Sequence, residues 1–294
     1  MKSSKMVLSF LKFKNTRSNM PSHLPQILIH SNEPIWIDYG LFPRLPHEGE
    51  DIYCDSLTFR MGYGYKLAKK LNALNVKVGW CLQYAEPVFQ ALAKAEAQLD
   101  GISDSLVEIT PTHPTSLAIS APLQSGDHRT VIANATYDLD ISWLTENRQN
   151  PLWLVLWDWQ ANIKLCEIIA WCQKMKIPVF LGVTQSENIG IYIEKLVNLL
   201  KETSIVEGIV FHHPPYIQKK EIVLENSFVE LLQKHIPVII VKQNDGFRII
   251  SLINNILCDQ TNGCFIEWLS HYIHQRLQRK DVINSIIYAQ NCSR

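Results

Sequence analysis

The sequence predicts an α/β fold with a central, mostly parallel sheet and helices on both faces. Three observations predict it. From residue 151 onward, short apolar runs alternate with amphipathic stretches of 10 to 15 residues, the rhythm of βα units. Before that, three short strand-like segments follow one another between 105 and 134, set apart by the turn formers PTHPT and QSGDH. Finally, 294 residues with 47% hydrophobic and 19% charged side chains can bury a large core and are not the composition of a disordered chain.

The elements follow in order. QILIH and PIWIDYGLF read as strands, and DIYCDSLTFRM alternates like a strand with one wet face. In YKLAKKLNAL, Leu67, Leu71 and Leu74 share one helical face and Lys66, Lys69 and Lys70 lie elsewhere. VKVGWCL is a strand. EPVFQALAKAEAQL is a helix, with Pro87 tolerated in its first turn. SLVEI, SLAIS and RTVIAN are strands, then PLWLVLW, the helix ANIKLCEIIAWCQKM and the strand PVFLGV. IGIYIEKLVNLLKE is a helix, EGIVFHH a strand and SFVELLQKH a helix. PVIIVKQ and DGFRIISL form a hairpin, and FIEWLSHYIHQRLQ and DVINSIIYAQ are closing helices. One domain is expected over 26–294, with a small β flap from segments near 35–61 and 105–133. In such sheets ligands sit at the carboxyl ends of the strands, so the turns after the late strands are where chemistry is expected.

Charge and cysteine content narrow the classes. The formal net charge is zero, which gives no pull towards nucleic acid or an anionic membrane. No apolar run approaches the roughly 20 residues of a membrane-spanning helix. The seven cysteines are dispersed without a CxxC pair, as expected of reduced thiols in a cytoplasmic compartment. Residues 1–25 carry Lys2, Lys5, Lys12, Lys14 and Arg17, and no acid precedes Glu33. This reads as a basic, disordered tail; organelle targeting is the alternative.

Several fragments, in order, resemble the ribokinase-like (PfkB) family of sugar and nucleoside kinases. They are IDYGLFPRLPHEGE with the strand, glycine pair and helix that follow it, GDHRTVIAN, VIIVKQNDGFRII and CDQTNGCFIEWL. RLPHEGE is the most specific piece. The resemblance implies the ribokinase-like fold with a β flap, a homodimer through that flap, and phosphoryl transfer from ATP with Mg²⁺ to an alcohol.

That chemistry needs positioned phosphate, neutralised charge and a proton acceptor. The family's Asp-Thr-x-Gly-Ala-Gly-Asp turn opens a helix whose N–H groups meet the phosphate, and its last Asp is the base. Against this pattern Asp259 matches the first Asp and Gln260 replaces Thr. Asn262, Gly263 and Cys264 stand for Gly, Ala and Gly, and Phe265 occupies the base position. Glu267 and Asp259 are the alternative bases. Two positions along a helix is a rotation of about 200°, which turns Glu267 away. On the substrate side the resemblance gives Asp38, Gly62 and, in place of the family's Asn, Lys66. Met61, Tyr63 and Tyr65 could fill the sugar's volume. Of the nucleotide-side TxGxxG turn only Gly246 remains, with Val241 and Gln243 in the other places. Joint loss of base, phosphate glycines and sugar Asn leads to the expectation of a pseudokinase. It would act by binding a small-molecule ligand or a protein partner. The alternative is an active carbohydrate or nucleoside kinase with a displaced base.

The remaining motifs have plainer readings. His271 and His274 share a helix face but have no third metal ligand at suitable spacing. His212-His213-Pro214-Pro215 reads as a polar turn. Trp153 and Trp157 read as core; Trp159 and Asp158 lie at the strand end, where packing is the plainer reading and contact with a ligand or partner the alternative. Cys264, at a helix N-terminus, reads as an inert thiol. No GxSxG supports a serine triad.

Overall fold

The computed structural model of the chain describes residues 25–31, 35–44, 47–51, 53, 55–82, 84, 86–102, 105–108, 115–125, 128–133, 151, 153–159, 163–184, 197–201, 203–212, 230, 232–243, 246–251, 255–258 and 264–292. Strand β1 (Ile27–Ser31) sits near the middle of the main sheet and sends alternate side chains into two cores. Ile27 and Ile29 enter one and Leu28 the other. A strand covered on both faces has no position for solvated side chains, so it reads as a continuous apolar run.

The other strands of this sheet are β4 (Val78–Leu82), β5 (Leu106–Glu108), β8 (Trp153–Trp159), β9 (Val179–Thr184), β10 (Val206–His212), β11 (Val238–Gln243), β12 (Gly246–Ser251) and β13 (Asn255–Cys258). Among the described residues it has nine strands in the order β13-β12-β11-β10-β9-β8-β1-β4-β5. Pairing is parallel from β5 to β11 and antiparallel for β11–β12 and β12–β13. A second sheet has the order β3 (Leu57–Arg60), β2 (Ile35–Tyr39), β6 (Leu117–Pro122), β7 (His128–Ala133).

Helices cover both faces of the main sheet. α1 (Tyr63–Ala73), α2 (Pro87–Leu99), α4 (Cys264–Leu277) and α5 (Val282–Cys292) bury Leu67, Ala93, Trp268 and Ile286 in the first core. On the other face α3 (Ile163–Met175) buries Leu165, Ile168 and Ile169. Four of these helices end alike, with a residue at positive φ followed by an N–H bonded back to the last turn. The residues are Asn75 (60°), Gly101 (70°), Lys176 (58°) and Arg279 (60°). The returning bonds are Val76 N–H to Leu71 O (3.1 Å), Ile102 to Ala97 (2.8 Å), Ile177 to Cys172 (2.9 Å) and Lys280 to Gln275 (3.2 Å). These are Schellman caps, and only Gly101 is free of a Cβ in the left-handed region.

Three elements differ from the sequence expectation. The strand near 105, expected in the flap, is β5 and pairs with β4, because β4, α2 and β5 form one crossover unit. Helix α1 starts at Tyr63, two residues before the predicted start, with Gly62 as its extended N-cap. Strand β13 was not expected. It extends the β11–β12 hairpin by one antiparallel partner, Phe247 facing Cys258. Most of the helix expected at 189–202, part of that at 227–235 and the basic tail before residue 25 lie outside the described residues.

Candidate functional site

The carboxyl ends of β8, β9 and β10 meet the N-terminal ends of α1 and α4, and aromatic side chains fill the junction. Trp157, near the end of β8, stacks on His212 at the end of β10, with ring centroids 4.9 Å apart and planes 14° apart. Phe265, second residue of α4, packs against Trp157 at 6.1 Å and edge-on against Phe247 of β12 at 5.4 Å. Tyr63 of α1 approaches Trp157 from the other side at 6.2 Å. Trp157, His212, Phe247 and Phe265 are all buried. Beneath the indole lies Gly182 of β9. A Cβ there would stand 2.6 Å from Trp157 Cε3, well inside van der Waals contact.

A register shift between Leu156 and Trp159 sends the two tryptophans to opposite faces. Trp157 joins the first core and Trp159 the second, although odd-numbered parity would have kept them together. Trp159 is buried, as the packing reading expects. Its Nε1–H donates to Nδ1 of buried His30, at the end of β1, at 3.2 Å. This bond fixes His30, when neutral, as the Nε2–H tautomer. Sequence pattern holds no sign of it, since the partners are 129 positions apart.

Two of the three side chains expected to crowd a sugar point elsewhere. Tyr65 turns into the core against Trp80 and donates to Asp100 Oδ2 at 2.7 Å, and Met61 lies under the Tyr84 hydroxyl. Burial first, then the Asp100 bond, raises the Tyr65 phenol pKa. The early start of α1 sets this direction. Lys66 is exposed, its ammonium 5.4 Å from the Tyr63 ring centre. Asp38, in β2, is held in a two-pronged ion pair by Arg60 of β3, whose guanidinium also lies 4.6 Å above the Trp36 ring.

Glu267 lies on the outer side of α4. It pairs with Lys70 of α1, and His271 stands 4.0 Å away. Burial is the main cause that lowers the His271 pKa, with His274 and Lys70 adding to it against Glu267. His274 meets the Gln278 amide at 3.0 Å. Among the described residues no group of three or more His, Cys, Asp or Glu is placed to hold a metal ion. Gly246 opens β12 opposite Gln243. Cys264 is the first residue of α4, while Asp259, Asn262 and Gly263 lie outside the described residues, as does His213.

The RLPHEGE stretch holds itself together. Arg44 grips both oxygens of Glu50, and the His47 N–H donates to Glu50 Oε2 at 2.8 Å. The Arg44 bonds, then the His47 bond, hold the exposed Glu50 carboxyl down to about 2. Gly49 supplies the positive φ that the turn requires, 75°.

No family model and no curated protein matches the sequence. Solved structures do match the fold. A ribokinase from Arabidopsis thaliana, complexed with ribose and ATP, superposes with a TM-score of 0.61 at 14% identity, over 92% of this chain and 91% of that one. The fold is ribokinase-like. A ribokinase from Thermotoga maritima gives 0.62 at 14% identity, over 92% and 91% of the two chains. The phosphofructokinase-2 from Escherichia coli, in complex with fructose-6-phosphate, gives 0.65 at 10% identity, over 92% of each chain. At such identities the likeness is one of fold.

Proposed function

We propose that this ribokinase-like chain is a pseudokinase: it keeps the architecture of a carbohydrate kinase, does not transfer phosphate, and acts by binding. The observation that carries this reading is Phe265. It stands where the resemblance puts the catalytic base, and it is buried between Trp157 and Phe247. A general base must reach the hydroxyl proton within about 3 Å. A phenyl ring has no lone pair to accept that proton.

Two further contacts support the reading. Glu267, the nearest acid on α4, is committed to Lys70 on the outer surface. Asp38, which the resemblance assigns to sugar hydroxyls, already holds Arg60 with both carboxylate oxygens.

The test is a coupled assay for ADP release with ATP–Mg²⁺ and a panel of ribose, fructose 6-phosphate and nucleosides. No release above the blank is expected. Turnover that disappears in Glu267→Gln or Asp259→Asn would instead establish a kinase with a displaced base. Calorimetric titration with ATP and ADP then asks whether the nucleotide side still binds.

A further inference from the structure

At the amino ends of β9, β10 and β11, the end of the sheet away from the aromatic junction, an open cleft of about 330 Å³ lies between three segments. Gln173 comes from the last turn of α3. Lys201, Thr203 and Ser204 come from the end of the helical stretch 197–201 and the turn after it. Lys234 and His235 come from the turn before β11.

Surface lysines fall into two groups. Lys69, Lys70 and Lys164 are ion-paired with Asp100, Glu267 and Glu167, while Lys174, Lys176 and Lys280, near helix ends, have no ion-pair partner among the described residues. Among the described residues Lys201 meets only the neutral Asn198 Oδ1, at 3.1 Å. Neither the Lys234 ammonium nor the His235 ring has a hydrogen-bond or ion-pair partner among the described residues. Within the cleft wall the Thr203 hydroxyl is buried, also without a partner among the described residues.

A competing explanation exists for each lysine alone. Both stand at the end of a helical stretch, where carbonyl dipoles attract a cation. That attraction accounts for their positions in sequence. It does not by itself bring two ammonium groups, an imidazole and two hydroxyls onto the lining of one concavity.

We propose that this cleft binds a phosphate dianion, free or as the monoester of a small metabolite. A tetrahedral dianion offers acceptors in all directions. The two ammonium groups, the imidazole N–H, the Ser204 hydroxyl and the Gln173 amide are all donors. The site stands apart from the aromatic junction and does not depend on the function proposed above.

The test is thermal unfolding at constant ionic strength, with potassium chloride exchanged for inorganic phosphate or glycerol 3-phosphate. ³¹P line broadening on the unheated protein runs alongside. A saturable rise of the midpoint is expected for the wild type and for the Lys164→Gln control. In the Lys201→Gln/Lys234→Gln double variant the apparent affinity should fall at least tenfold, and in the double Arg variant it should survive. Tighter binding of glycerol 3-phosphate points to a metabolite, and equal binding points to free phosphate; both support the site. If the double Gln variant loses the same stability in chloride and in phosphate, the lysines serve only the helix ends and the proposal fails. The absence of saturable broadening in the wild type through the millimolar range overturns it without any variant.

Discussion

Gly182→Ala isolates the packing of the aromatic junction in one methyl group. The new Cβ would lie 2.6 Å from Trp157 Cε3, 2.7 Å from Cδ2 and 3.1 Å from Cζ3. Carbon atoms prefer about 3.5–4.0 Å, so the indole or strand β9 must move by roughly 1 Å. The indole cannot slide away freely, because His212 is stacked on it and Phe265 and Tyr63 lie against it. Overpacking of a well-filled core costs about 1–3 kcal/mol, and a ring held on three sides belongs at the upper end. For a domain of this size that is a fall in Tm of roughly 6–12 °C, at about 2–4 °C per kcal/mol. Urea unfolding gives the energy, and near-UV circular dichroism reports the tilt of Trp157.

The decisive arm is a double-mutant cycle with Trp157→Leu. Once the indole is removed, the added methyl should be tolerated, and the pair should be non-additive by at least ~1 kcal/mol. An alanine that costs less than about 0.5 kcal/mol with an unchanged spectrum, or two substitutions that simply add, would refute the packing argument.

Three other outcomes are expected. Lys176→Gly and Arg279→Gly should each stabilise by up to about 1 kcal/mol in urea unfolding, because both residues hold positive φ at a helix end; Asn75→Gly should gain less, since Asn tolerates that region better. Glu267→Gln should cost no more than about 1 kcal/mol, since both partners of its ion pair are more than a third exposed, and ADP release should stay at the blank. The Glu50 carboxyl, lowered from 4.5 to about 2, stabilises the turn fully above pH 4.5 and loses that contribution as the pH falls through 2. A carboxyl ¹³C titration should show that midpoint in the wild type and an ordinary one in Arg44→Gln, and a wild-type midpoint near 4.5 would contradict the bidentate pair.

The layers of the fold were legible because burial imposes period and length. β1, β8, β9 and β10 are covered on both faces, so they had to be apolar runs, and the helices between them had to carry one apolar stripe. Side-chain direction at the site was much less legible. Starting α1 at Tyr63 sends Tyr65 to Trp80 and leaves only Tyr63 beside Trp157. The bulge in β8 reverses the parity of Trp159, and no residue type in WLVLWDW announces it. Contacts such as Trp159–His30 and Lys70–Glu267 join positions 129 and 197 apart, so local pattern carries no trace of them. Phe265 was informative for the opposite reason. An apolar residue where the resemblance expects an acid is read locally, from the stretch CDQTNGCFIEWL itself.

The aromatic junction also bears on what kind of protein this is. Active sites conflict with stability, because they hold polar groups, open volume and strain that the rest of the fold must offset. On the proposed reading that place is built like a core here: rings packed edge to face and in stacks, with a glycine beneath so that the indole can lie flat. Helix α4 directs its N-terminal end, where the helix dipole places partial positive charge, towards this end of the sheet. Its second side chain there is a phenyl ring, where the resemblance expects a carboxylate. On the proposed reading, selection has turned the catalytic position into a packing position, and the stability gained there is no longer lost to a hollow. Binding would then use the rim and the outer surfaces rather than the junction itself. For that reason Gly182→Ala and Trp157→Leu should alter stability without altering any ligand affinity.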